Sequence, residues 1–240
     1  MELWIPITIA AAFLQNLRTA AQKKLQRSLG TTGASFVRFG FGFPVALAYV
    51  AGLHFWGGRA IPELNLSFAA WAMLGGVAQI AATILLVHMF TLRNFAVGTA
   101  YSKTEPVQAA LFGFLILGDR LTRGAVLAIL VGVCGVMLIS IARAPLSWRG
   151  IVAALFSRTA AIGILSGALF GVSAVAFRSA ALSLPGDDTI MRAAVALACA
   201  TTFQTIIMTI WIAVSDISEF GRVARAWRSS ALIGLAGVLG

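Results

Sequence analysis

Seven stretches of about twenty mostly apolar residues follow one another along a chain of 240 residues, and that recurrence leaves few folds open. Twenty residues of α-helix rise about 30 Å, the thickness of the hydrocarbon core of a bilayer. Inside lipid every backbone N–H and C=O must be satisfied within the protein, so runs of this length are expected as helices. The fold class is therefore all-α and integral to a membrane. The spans are expected at about 3–22, 34–55, 67–91, 95–117, 124–142, 160–183 and 190–214, and an eighth apolar run begins at Ala231. Only ten residues separate its start from Gly240, enough helix for about half a bilayer. The expectation is a chain cut short there, or a last element that crosses only partway.

Composition excludes the soluble alternative. The chain is 60% hydrophobic and 11% charged, whereas ordinary globular chains are near half apolar and about a quarter charged. The net charge of +10 does not point to nucleic acid, because the basic residues are spread singly between apolar spans and not clustered on one face. Their distribution orients the spans instead. One set of loops carries ten basic residues (Lys23, Lys24, Arg27, Arg93, Arg143, Arg149, Arg158, Arg222, Arg225, Arg228) and the other carries three (Arg59, Arg120, Arg123). The positive-inside rule places the first set in the cytoplasm and the N-terminus outside. The N-terminus itself has no basic region ahead of its apolar run, so it reads as a first span and not as a cleaved signal.

The fourth span, within Asn94–Arg123, is the unusual one. Lys103 and Glu105 lie near its middle and Pro106 follows directly. Charge at bilayer depth is costly, and such residues tend to face a cavity or a partner. Glu105 is the leading candidate for a substrate-contacting or coupling carboxylate, against a structural ion pair with a neighbouring helix. Lys103, two residues away, points to another face and does not readily neutralise it within one helix. Pro106 is expected to kink the helix, because it lacks a donor and crowds the carbonyl of Ser102. Tyr101, four residues before Glu105, would share its face one turn away.

Gln79, in the middle of the third span, is a candidate to line the cavity, and Gln15 and Asn16 in the first are polar groups at depth that either bind substrate or hydrogen-bond across helices. Arg18 and Arg178 lie about a turn from their span ends, where snorkelling accounts for them without function; their matching places in a weak sequence repeat make paired gates or anion holders the functional alternative. Arg38 and Arg192 follow the same logic at span starts, and His88 reads as interfacial. Trp4, Trp56, Trp148, Trp211 and Trp227 lie near span ends, as in an aromatic belt. Cys134 and Cys199 are far apart inside apolar runs and read as packed thiols, not a metal or redox pair. No paired-carboxylate site, His/Cys cluster, Walker loop or nucleophile elbow occurs, so neither an enzyme nor a bound cofactor or metal is expected.

The chain also repeats weakly. Arg18-Thr19-Ala20-Ala21 is echoed by Arg178-Ser179-Ala180-Ala181, 160 positions on. Ser35-Phe36-Val37-Arg38 is echoed by Thr189-Ile190-Met191-Arg192, 154 on, and Ala72-Met73-Leu74-Gly75 by Ala231-Leu232-Ile233-Gly234, 159 on. The order and near-constant offset suggest two units. Five spans per unit would invert the second copy, an arrangement common in secondary transporters.

By the end of the fifth span the sequence resembles the drug/metabolite transporter superfamily, the EamA-type domain. Ala100-Tyr101-Ser102-Lys103-Thr104-Glu105-Pro106-Val107 resembles that family's small-residue run ending in Glu-Pro. Leu115-Ile116-Leu117-Gly118-Asp119-Arg120-Leu121-Thr122 resembles its Leu-x-Leu-Gly-Glu-x-Leu-Thr turn, with Asp119 in place of Glu. Gly132-Val133-Cys134-Gly135-Val136 resembles its glycine-rich fifth helix, and Gly124 meets the glycine after the turn only loosely. The resemblance implies two inverted five-helix units. The first would be 1–145, a connector 146–159, and 160–240 an incomplete second unit, giving seven or eight transmembrane helices in all. It implies a multi-pass inner-membrane transporter moving a small metabolite or drug-like solute by alternating access. Its partners would be a small-molecule substrate, the lipid bilayer and, as a further state, a second copy in a homodimer. A truncated or non-transporting membrane subunit and a membrane-embedded transferase are the alternatives.

Overall fold

The structure is a computed structural model, and it describes residues 4–92, 101–118, 122–141 and 157–239. The sequence expectations for Arg93, Asn94, Ala100, Asp119, Arg120, Leu121, Arg143, Trp148, Arg149 and most of the connector lie outside the described residues, as does the side chain of Trp4.

The helices in chain order are α1 (Trp4–Leu25), α2 (Thr31–Gly40), α3 (Phe43–Phe55), α4 (Leu66–Met89), α5 (Glu105–Leu117), α6 (Arg123–Ile141), α7 (Arg158–Ser183), α8 (Thr189–Ser215), α9 (Ser218–Arg225) and α10 (Trp227–Leu239). No strand occurs among the described residues. Among the described residues, four stretches are long and apolar enough to cross a membrane: Thr31–Phe55, Leu66–Met89, Arg158–Ser183 and Thr189–Ser215. Helix α1 has the length, at 22 residues, but Gln15, Asn16, Arg18, Gln22, Lys23 and Lys24 crowd its second half. Helices α5 and α6 are apolar; 13 residues of α5 are too few to cross alone. The fold is all-helical and compatible with an all-α membrane protein. Apolar side chains lie open to the surroundings along the helices, among them Leu66, Val131 and Val214, and so do Trp56, Trp211 and Trp227 at span ends. Cys134 and Cys199 are free thiols, the first exposed and the second half-buried.

Among the described residues, two spans differ from the expected rods. The second breaks at Gly40–Gly42 into α2 and α3. The Gly42 N–H bonds to the Phe39 carbonyl at 3.0 Å, tightening the turn, and Pro44 then sits in the first turn of α3, where its missing donor costs nothing. The fourth span is also interrupted, at Lys103–Thr104.

The chain divides into two compact units, Met1–Gly76 with Phe177–Gly240, and Val77–Ala176. In the first unit, α10 packs against α1, α2 and α3, and α8 against α2 and α3. Phe68, Ala72, Ala180, Leu184, Met191, Val195 and Ala196 form its core. Lipid is as apolar as these side chains, so close packing and hydrogen bonds hold such helices together more than apolar burial does. Accordingly buried amides stitch the unit. Gln204 Nε2 donates to the Gly76 carbonyl at 3.2 Å, and Gln22 Nε2 to the Ala34 carbonyl at 3.2 Å.

Both ends of this unit are clamped. At one end Arg59 pairs with Asp188 at 2.6 Å, and Asn65 Nδ2 donates to the Ser183 carbonyl at 2.6 Å. Asp188 also caps α8 by accepting from Met191 N–H at 3.0 Å. That bond, with the Arg59 guanidinium, holds its carboxyl below the usual carboxylate range. At the other end the buried Glu219 Oε1 accepts from Gly30 N–H at 2.8 Å. Helix α2 has no side-chain cap of its own, so Glu219, on α9, caps it from across the unit, where a helix dipole favours an anion. Arg222 binds both Glu219 and Asp216, and the Ser218 hydroxyl and Arg222 hold the Asp216 carboxyl below its usual range. The loop at 26–30 and the segment 216–226, with α9, thus share one end, and the loops at 56–65 and 183–188 share the other.

In the second unit Ala82, Leu86, Met89 and Phe170 pack with Phe90, Ile162 and Leu169. The fully buried Ser166 hydroxyl donates to the Ala82 carbonyl at 2.9 Å and fixes α7 on α4.

Candidate functional site

The interrupted fourth span lies in the unit Val77–Ala176, and its local chemistry explains the interruption. Thr104 N–H bonds to the Tyr101 carbonyl at 3.1 Å, a tight turn, and the Thr104 hydroxyl donates to the same carbonyl at 2.6 Å. Helix α5 then starts at Glu105, with Pro106 second. The sequence reading had Pro106 kinking a continuous helix. The structure places it in the first turn of a new one, where proline is tolerated. Glu105 is thereby a half-buried carboxylate in the first turn of α5, at the positive end of the helix dipole. Because the helix restarts there, the one-turn spacing from Tyr101 to Glu105 does not carry across. Helix α5 ends at Gly118, whose φ of 69° is left-handed and whose N–H reaches back to the Gly113 carbonyl. Glycine takes that conformation without penalty, and this is the physical content of the Leu-x-Leu-Gly turn.

Helix α7 passes very close to the break. A Cβ on Gly167 would lie 3.0 Å from the Ser102 carbonyl and 3.2 Å from Thr104 Oγ1, and one on Gly171 would lie 3.0 Å from Ala109 N. These glycines, four apart, form the bare face that small residues give to touching membrane helices. Gln108, which the sequence reading passed over, ties the two helices together. Its Nε2 donates to Thr104 Oγ1 at 2.8 Å and more weakly to the Ile164 carbonyl at 3.4 Å. An uncharged amide one turn beyond the break, in an otherwise apolar run, was the available signal.

Among the described residues, Tyr101 Oη and Gln108 Oε1 are buried here with no hydrogen-bond partner. Tyr101 is 6% exposed. Buried polar groups are nearly always bonded, so a donor hydroxyl and an amide acceptor left over at one helix break are ready to meet a polar ligand or water. Gln79 is half-buried on α4 in the same unit, and Lys103 is exposed.

The other sequence candidates belong to the other unit. Gln15 is half-buried, and Asn16 is exposed, donating to its own helix at 3.0 Å. Arg18 is 5% exposed, and its stem converges with that of Arg38 on Gly237, where a Cβ would lie 3.5 Å from each. Arg178, its counterpart in the sequence repeat, is exposed, so the two do not occupy like surroundings. His88 is exposed near the end of α4. Among the described residues no group of three or more His, Cys, Asp or Glu is placed to hold a metal ion.

A family model described as the EamA-like transporter family matches residues 2–141. The chain belongs to the EamA-like transporter family. No curated protein matches it. Membership agrees with the resemblance read from the residues around Glu105 and Gly118, and the matched region takes in α1 to α6. With the apolar helices, it makes this a multi-pass membrane protein of the transporter type.

Proposed function

We propose that this EamA-like family protein moves a small metabolite or drug-like solute across the inner membrane by alternating access. The observation that carries the reading is the restart of the fourth span at Glu105. Broken helices at membrane depth are how secondary transporters present helix termini and backbone to a solute. In this reading Glu105 contacts the substrate or a coupling ion, Tyr101 Oη donates a hydrogen bond, and Gln108 Oε1 accepts one. Gln79 and Lys103 add polarity in the same unit. Gln15 and Arg18 serve the transport cycle from the other unit, Arg18 as a gating residue. The sequence repeat supports two inverted five-helix units, and the loop charges support a cytoplasmic face at 26–30 and 216–226.

The test is flux into vesicles holding the purified protein, with amino acids, nucleosides and cationic dyes as candidate solutes. Glu105→Gln is expected to lower the rate or abolish its pH dependence. A Glu105→Gln protein with the normal rate and the normal pH dependence would falsify the coupling role.

A further inference from the structure

We infer that a groove between α1 and α10 binds one anionic phospholipid, with an acyl chain along its apolar part and the headgroup at Lys24. Two clefts make up the groove. The first is an open cleft of about 250 Å³, and Leu14, Leu17, Leu235 and the Arg18 stem give it walls almost wholly of carbon. The second encloses about 320 Å³ and ends in Lys24, Ser28 and Ser229. Ala21 and Leu232 line both, so the clefts are continuous.

Length, polarity and charge select the occupant. From Leu14 to Lys24 the helix rises about 15 Å, half the hydrocarbon core and so the depth of one leaflet. Polarity runs in the order a lipid needs, from apolar wall to lysine and hydroxyls. No lining residue is acidic. The two acids of the segment 215–229 are both held by Arg222. Exposed Arg225 and Arg228 directly precede the lining residues Ala226 and Ser229, and Arg27 is exposed on the neighbouring turn. The headgroup end is thus basic, which favours an anionic phosphodiester over a zwitterionic one. Leu17, at 52% exposure, and Leu232, at 67%, are the apolar surface an acyl chain would cover.

The experiment is native mass spectrometry of the full chain released from micelles. Phosphatidylglycerol and phosphatidylcholine of identical acyl chains are added in turn. The expected result is retained phosphatidylglycerol adducts at about fivefold the level of phosphatidylcholine, the ratio one basic residue near a headgroup supplies. Lys24→Ala, on an exposed side chain and with an unchanged melting curve, should lower the preference while keeping the phosphatidylcholine level. Leu235→Trp, which fills the apolar cleft, should lower both adducts. Free inorganic phosphate should not compete, because the acyl part carries the depth of the groove. Equal retention of the two lipids, a preference that Lys24→Ala leaves unchanged, or displacement by free phosphate would each overturn the proposal. So would efficient disulfide dimers of a Leu17→Cys chain in phosphatidylglycerol bilayers, which would give the groove to a second copy.

Discussion

The backbone N–H of Gly30 donates to Glu219 Oε1 at 2.8 Å, joining positions 189 residues apart in sequence. The carboxylate occupies the space a side chain at Gly33 would fill. Gly33→Ala is therefore expected to displace it and uncap α2, at a cost of about 1–3 kcal/mol from overpacking and a lost charge-assisted bond. Thermal melting in detergent checks this. Gly221→Ala is the control: nothing lies within 4 Å of its added Cβ, so it should change stability little or raise it slightly. Glu219→Ala in the Gly33→Ala background should cost less than the sum of the two single changes, since both act on one contact.

Helix α10 meets the bend of the second span through bare backbone. A Cβ on Gly234 would lie 2.5 Å from the Phe41 carbonyl carbon and 2.8 Å from Gly42 N. Backbone cannot swing aside as a side chain can, so Gly234→Ala should push α10 off the bend. The expected loss is about 1–3 kcal/mol, read as a lower melting temperature and as faster proteolysis near Trp227.

The Asp188 clamp should respond to pH with a definite sign. Its carboxyl titrates below the usual range because Met191 N–H, and then Arg59, favour the anion. A carboxylate depressed in the folded state adds stability above its unfolded value, and the gain fades as pH falls through its folded value. The melting difference between the natural chain and Asp188→Asn, which can still cap α8, should be constant near neutrality and shrink from about pH 5 downward. A difference that grows on acidification would contradict the assignment.

At the helix break, Tyr101→Phe removes the unbonded buried hydroxyl. The variant should fold as well as the natural chain or slightly better, because a buried group without a partner costs stability. Solute binding should weaken by about 1 kcal/mol, roughly fivefold in Kd. Isothermal titration with whichever solute shows flux separates the two effects. Gly167→Leu, by contrast, should fail in stability first, since it drives α7 away from the Ser102 carbonyl.

Much of the scaffold was legible because lipid imposes one rule on every span. Apolar length located Leu66–Met89, Arg158–Ser183 and Thr189–Ser215 within a few residues. The second span was located too, but not its division at Gly40–Gly42, which needs α10 pressed against the bend. Glu105 and Pro106 drew notice as an anomaly of charge and backbone. Whether Pro106 bends a helix or begins one depends on the Thr104 hydroxyl, which turns back to the Tyr101 carbonyl, and on the bare face of α7, about sixty residues away in sequence. Nothing in the sequence marks Glu219 as a cap, because its partner lies 189 residues upstream. Gln108 was passed over because one amide in an apolar run carries no weight until Ile164 and Thr104 are beside it.

The division of the chain into a split unit and an unbroken one has a consequence for biosynthesis. Residues 77–176 leave the ribosome as one stretch, whereas the unit holding Gly30 needs Phe177–Gly240 as well. At about 5–20 residues per second, the intervening 100 residues take about 5–20 s to make. Through that interval the N-terminal helices sit in the membrane without α8 and α10, with the α2 terminus uncapped and Arg18 and Arg38 lacking the helix that will cover them. This is the window in which an insertase or quality-control protease would meet them. Changes at Gly234 or Glu219 should therefore act on protein yield in the cell before they act on transport.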